Sequence, residues 1–115
     1  MELMKQDVEN ILHKIIQKLA APPHSTVRKI MLYGSYARGD FTKNSDIDIM
    51  VLVDDENPYK PYSTIKSEVD MLSDQYLVMI SCHFQNYQHF YNAMNSTSFY
   101  KNIEKEGVVY YDAAV

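Results

Sequence analysis

Residues 46–53 read Asp-Ile-Asp-Ile-Met-Val-Leu-Val, and no other stretch constrains the fold as strongly. From Ile47 to Val53 the run is nearly continuous in hydrophobicity, and Asp54-Asp55-Glu56 and Pro58 break it. That pattern predicts a central, buried strand. Side chains at i and i+2 of a strand share a face, so Asp46 and Asp48 project together at its start. Unpaired carboxylates are costly beside a core, and something positive should compensate them. Oxygen ligands of this kind suit Mg²⁺, which binds through one or two carboxylates and completes its octahedron with water and substrate phosphates.

A second β-rich run, Val27 to Tyr33, stops at Gly34 and predicts a strand that turns sharply, with Ser35 capping a short helix. A glycine lets backbone approach a phosphate closely, a helix start presents free N–H groups, and the Ser35 hydroxyl adds a donor. If this strand lies beside the aspartate strand, phosphate cradle and metal ligands converge on one cleft edge. That is a phosphoryl or nucleotidyl transfer site in outline.

The rest of the chain reads as alternating helix and strand. Val8, Ile11, Leu12, Ile15, Ile16 and Leu19 put one apolar face on a helix from Lys5 to Ala20, ended by Pro22 and Pro23. Ile65, Val69, Leu72 and Tyr76 do the same from Tyr62 to Tyr76, and Leu77 to Phe84 reads as a third strand. Tyr87 to Met94 and Phe99 to Glu106 read as short helices, the second stopped by Gly107 as a left-handed cap, with Val108 to Tyr111 a last edge strand. The class is α+β, a small mixed sheet flanked by helices. With 115 residues, 46% of them apolar, and no repeat or linker, one domain over 1–115 is expected.

Composition narrows the ligand. A formal charge of -4 offers no excess of Lys and Arg for a phosphate backbone, so nucleic acid is not the expected partner, whereas a small phosphorylated ligand is allowed. Cys82 is the only cysteine, which excludes an internal disulfide and a thiolate-rich metal site, and the cytoplasm is the simplest compartment. No run approaches the roughly twenty apolar residues of a membrane span. His83 and His89 lack partners at ligand spacing and read as packed or surface residues. Cys82 reads as a small core residue, and the aromatic residues near the C-terminus as core together with a sticky surface.

Gly34-Ser35, ten residues, then Asp46-Ile47-Asp48 resembles the signature of the polymerase-beta-like nucleotidyltransferase superfamily. The flanking Ala37-Arg38-Gly39-Asp40, Ser45 and the ending Phe99 to Gly107 look like its minimal stand-alone members, the antitoxins of toxin–antitoxin pairs with HEPN-domain proteins. The resemblance implies that Gly34 and Ser35 hold the β and γ phosphates of ATP and that Asp46 and Asp48 are both catalytic and Mg²⁺ ligands. It also implies transfer of AMP to a tyrosine hydroxyl of the HEPN toxin. Arg38 is a candidate for the triphosphate, with a local pair to Asp40 as its alternative. Many members carry a third carboxylate on the next strand. Residues 77–84 contain no acid, Leu77 or Met79 aligns with the missing one, and Met79, Ser81 and His83 would share the cleft-facing side. The alternative function is therefore a catalytically impaired member that neutralises its HEPN partner by binding only.

Overall fold

The computed structural model describes residues 3–21 and 25–114. In chain order the elements are α1 (Lys5–Leu19), β1 (Val27–Tyr33), α2 (Ser35–Arg38), β2 (Ile47–Val53), α3 (Tyr62–Tyr76), β3 (Ile80–Asn86), α4 (Tyr87–Ala93), a 3-10 turn (Met94–Ser96), α5 (Ser98–Glu106) and β4 (Val108–Asp112). The strands form one sheet in the order β3-β2-β1-β4, with β2 antiparallel to β1 and parallel to β3, and β1 antiparallel to β4. The expected α+β class and mixed sheet are thus observed, and β2 is central and buried from end to end except at Asp48.

Strand alternation sorts the apolar residues into two cores. Ile47, Ile49, Val51 and Val53 of β2, with Ile30 and Leu32 of β1, pack under α1 and α3 through Ile11, Leu12, Ile15, Ile65 and Leu72. The opposite face carries Met31, Tyr33, Met50 and Leu52, covered by Phe90 of α4 and Ile103 of α5. A β-strand with bulky apolar residues on both faces needs helices on both, and that requirement produces the three layers. The second cover is the thinner one, and Asp48 falls on its side of the sheet by the two-residue period.

Local chemistry aims α4 and α5. Asn86 ends β3 and caps α4, its side-chain oxygen accepting from the His89 N–H at 2.9 Å, while its amide donates to the Asp55 carbonyl at 3.1 Å. The Thr97 hydroxyl accepts from the Tyr100 N–H at 3.0 Å and starts α5, and Gln85 donates to the Tyr100 hydroxyl at 2.8 Å. Such caps stabilise a helix by about 0.5–2 kcal/mol each, enough to fix where a nine-residue helix begins.

Several sequence expectations shift. The third strand begins at Ile80 rather than Leu77, because α3 closes on Leu77 in the left-handed region with φ 54°. Leu77 is 75% exposed there, so its apolarity did not mark a strand. Gly107 is extended, φ -69° and ψ 152°, and not a left-handed cap; a Cβ here would collide with the Ile103 carbonyl. Helix α1 closes at Ala20, and the expected stop at Pro22 and Pro23 lies outside the described residues. The helix expected over Tyr87–Met94 ends at Ala93, where the 3-10 turn takes over.

Phe90 is fully buried and is the largest side chain closing the thinner core. Truncation to Ala should destabilise by about 3–5 kcal/mol. Urea unfolding monitored by circular dichroism measures this; a loss below about 1 kcal/mol would mean that α4 is not a structural cover.

Candidate active site

Pairing of β1 with β2 places Tyr33 opposite Asp48, so the turn that follows Tyr33 crosses directly over the Asp48 side chain. Gly34 makes this possible. Its φ of 77° and ψ of -158° lie in a region open essentially to glycine alone, and a Cβ at this position would collide with Asp48 Oδ2 and stand 3.2 Å from its Cγ. Two constraints, conformation and contact, therefore demand glycine at one residue.

The chain then makes a single turn of helix. Ala37 and Arg38 N–H groups donate to the Gly34 carbonyl at 3.1 and 3.0 Å, whereas the N–H groups of Ser35 and Tyr36 have no acceptor among the described residues. Ser35 is the first helical residue rather than the cap, a role that Gly34 takes. Its hydroxyl makes no hydrogen bond among the described residues, so two N–H groups and one hydroxyl are without partners there in the turn that passes over Asp48. Gly39 ends the turn in the left-handed region at φ 87°, and Tyr36 stacks on Phe41 at 4.4 Å between centroids, bracing the loop that returns to β2.

Asp46 lies exposed just before β2 and Asp48 is half-buried within it. Burial, and secondarily the charge of Asp46, raises the Asp48 carboxyl above its ordinary range, with His83 and Arg38 opposing the shift. A carboxylate held partly out of water beside another is a place where a cation fits. Among the described residues no third Asp, Glu, His or Cys joins the pair as a metal cluster. Strand register explains the gap: Ser81 stands beside Asp48 and His83 beside Met50, while the Ile47 N–H donates to the Met79 carbonyl. Met79 is exposed near Asp46, and Leu77 is off the strand altogether. The uncharged Ser81 is thus the residue level with Asp48. His83 is exposed, with its ring 6.2 Å from that of Tyr33.

Arg38 is shared between Asp40 at 3.2 Å and Glu106 at 3.3 Å, so the local pair with Asp40 exists and α5 adds a second acid. Both pairs are exposed and contribute little stability, which leaves the guanidinium able to exchange partners. Tyr33, Gly34, Ser35, Arg38 and Asp48 on one wall and Phe99, Asn102, Ile103 and Glu106 on the other enclose a cleft of about 450 Å³. Sequence reading missed this α5 wall. The signal was present as a helical spacing of 99, 102, 103 and 106 in which only Ile103 is buried. A larger hollow of about 520 Å³ between the start of α1 and β4 contains neither aspartate nor Ser35.

Residues 13–114 match the polymerase beta nucleotidyltransferase family. The chain belongs to that family, and its enzyme class is nucleotidyltransferase. A Methanocaldococcus jannaschii protein, named by inference a protein adenylyltransferase, is 32% identical over 103 residues, covering 90% of this chain and 97% of the relative. The fold resembles that in the crystal structure of a toxin-antitoxin with AMP-PNP, with TM-score 0.56 and 22% identity over 91% of this chain and 73% of that one. It also resembles a mutant of the toxin-antitoxin MntA-HpeT, with TM-score 0.54 and 19% identity over the same shares. At these identities the two structures bear on the fold alone. Among the described residues no helix is long and apolar enough to cross a membrane.

Because the folded protein raises the Asp48 carboxyl, the folded state binds this proton more tightly than the unfolded chain does. Its contribution to stability is present below the ordinary carboxylate pKa and is lost as pH rises through the raised folded value. Without divalent cations, Asp48→Asn should therefore melt above the unaltered protein at pH 7, and the gap should shrink as pH falls through the carboxylate range. Added Mg²⁺ should raise the melting temperature of the unaltered protein and not that of the variant. Thermal scans at both pH values, with and without Mg²⁺, test this; equal Mg²⁺ responses would remove Asp48 from the ligand set.

Proposed function

We propose that this chain transfers AMP from ATP to a hydroxyl of a partner protein, a tyrosine of a HEPN-domain toxin, and acts as its antitoxin. The observation that carries the reading is the contact of the Gly34-Ser35 turn with Asp48, which puts unpartnered N–H donors and a partly desolvated carboxylate at one cleft edge. Relatives named as protein adenylyltransferases support the protein acceptor, and toxin-antitoxin neighbours of like fold support the partner class. We take residues 1–115 as one domain acting in the cytoplasm.

The roles follow from position. The Ser35 hydroxyl with the Ser35 and Tyr36 N–H groups would hold the β and γ phosphates, and Arg38 would exchange an acidic partner for a phosphate oxygen. A single helical turn has little dipole, so the donors themselves do this. Asp46 and Asp48 would hold Mg²⁺, which when bound supplies charge neutralisation of the triphosphate and polarisation of the α phosphate. The acceptor oxygen forms its bond to the α phosphorus as the bond to the bridging oxygen of the β phosphate breaks. Pyrophosphate leaves with that electron pair, and the hydroxyl proton goes to a base or to water.

Incubation with a HEPN-domain partner protein, ATP and Mg²⁺ should add whole AMP units to that protein in intact-mass spectra, and Asp46→Asn with Asp48→Asn should abolish the gain. Transfer that persists in the double variant would overturn the assignment of these aspartates.

A second reading, neutralisation by binding alone, is favoured by one observation: no acid stands beside Asp48 on β3. Ser81→Asp separates the two. If the chain is an enzyme limited by the missing charge, this change should raise the transfer rate by about tenfold or more, the scale of a positioned proton acceptor. A complex that neutralises the toxin with no AMP transfer in either form would select the binding reading.

A further inference from the structure

The α5 wall of the cleft has features that its structural role does not require. Ile103, with Tyr100 packed partly buried beside it, anchors the helix in the core, and Phe99, Asn102 and Glu106 lie on the flank of the same helix and line the cleft. Phe99 keeps 50% of its surface exposed, although a large aromatic gains by burial. It is held nearly perpendicular to the Tyr33 ring at 5.9 Å and tilted against Tyr100 at 5.9 Å, so two neighbours fix its plane while half of it stays open. One helical turn further on, the Asn102 amide is exposed and makes no hydrogen bond among the described residues. Beyond it, Glu106 reaches across to Arg38 at 3.3 Å and closes the end of the cleft.

A fixed, half-open aromatic beside an amide without a partner among the described residues, about 450 Å³ of space, and Ser35 and Arg38 on the opposite wall match the two ends of a nucleotide. We propose that the α5 wall is the nucleobase subsite, with Phe99 stacking on the base and Asn102 reading its edge, and that it selects adenine. The proposal rests on the nucleotide-binding part of the function proposed above and deepens it. An Asn amide offers one donor and one acceptor side by side, the complement of adenine N7 and its 6-amino group, whereas the matching edge of guanine presents two acceptors. Stacking favours a purine over a pyrimidine through its larger face. Phosphates at Ser35 and a base at Asn102 would orient the triphosphate along the cleft with its α phosphate toward Asp48.

The chain contains no tryptophan, which makes the test direct. In the full chain, Phe99→Trp creates a single tryptophan, excited selectively to the red of the ten tyrosines, whose emission should change with ATP and Mg²⁺ and not with tripolyphosphate and Mg²⁺. By calorimetry, the unaltered protein should bind ATP more tightly than GTP or tripolyphosphate. Asn102→Ala, on the exposed flank, should weaken ATP about tenfold while leaving GTP and tripolyphosphate unchanged, and Phe99→Ala should weaken both nucleotides by about tenfold or more. If ATP binds no more tightly than tripolyphosphate, or if both variants bind ATP as the unaltered protein does, the base subsite is overturned while phosphate binding stands. Variants that keep ATP affinity and lose only transfer to the partner would likewise overturn it, giving this wall to the acceptor. Binding of neither ATP nor tripolyphosphate by the unaltered protein would overturn the nucleotide reading itself, and this proposal with it.

Discussion

The approach of Gly34 to Asp48 is the constraint on which the rest of the site depends. It needs β1 and β2 antiparallel and in the register that pairs Tyr33 with Asp48, and it needs a residue without a side chain in a backbone conformation that other residues avoid. The register is held by the cores. A slip of one residue would turn Ile47, Ile49, Val51 and Val53 out of the α1–α3 core and into the thinner one. Strand pairing specified by hydrophobic burial thus fixes, to within a side chain, where the carboxylate meets the turn.

The same burial works against the carboxylate. Met50 and Leu52 continue the face on which Asp48 stands, and their cover of Phe90 and Ile103 leaves Asp48 only half in water. Its raised pKa is the physical record of that position. A residue selected for stability alone would be apolar here, since β2 is otherwise buried throughout. Sites that break the pattern of their own strand are where function is expected to oppose folding.

How much was legible follows from what carries each signal. The strand bearing both aspartates and the turn at Gly34 were readable because apolar continuity and glycine each have a direct backbone consequence. Leu77 was misread as strand because an exposed left-handed Leu leaves no trace in a hydrophobic pattern. Gly107 was assigned a positive φ when its real constraint is the carbonyl of Ile103, a local contact at the end of α5 where the extended Gly107 still donates its N–H to that carbonyl at 2.8 Å. The α5 wall was invisible for a different reason. Phe99 and Asn102 acquire a meaning only when tertiary packing brings them opposite Ser35, some 64 residues earlier by number.

The absence of an acid beside Asp48 has consequences in both directions. Two unit charges about 4 Å apart interact by about 4 kcal/mol at the effective dielectric of a protein surface. A carboxylate in place of Ser81 would add attraction of that order for any cation the aspartates hold, and repulsion of that order toward Asp48, whose carboxyl is already raised by burial and by Asp46. In a domain whose total stability is about 5–15 kcal/mol, that repulsion is a large fraction of the margin when no cation is present. With Ser81 the folded state is less dependent on a bound cation, and the charge available for accepting a proton is smaller. In the proposed reaction, a chain without that charge would depend the more on how well a partner presents its hydroxyl to the cleft.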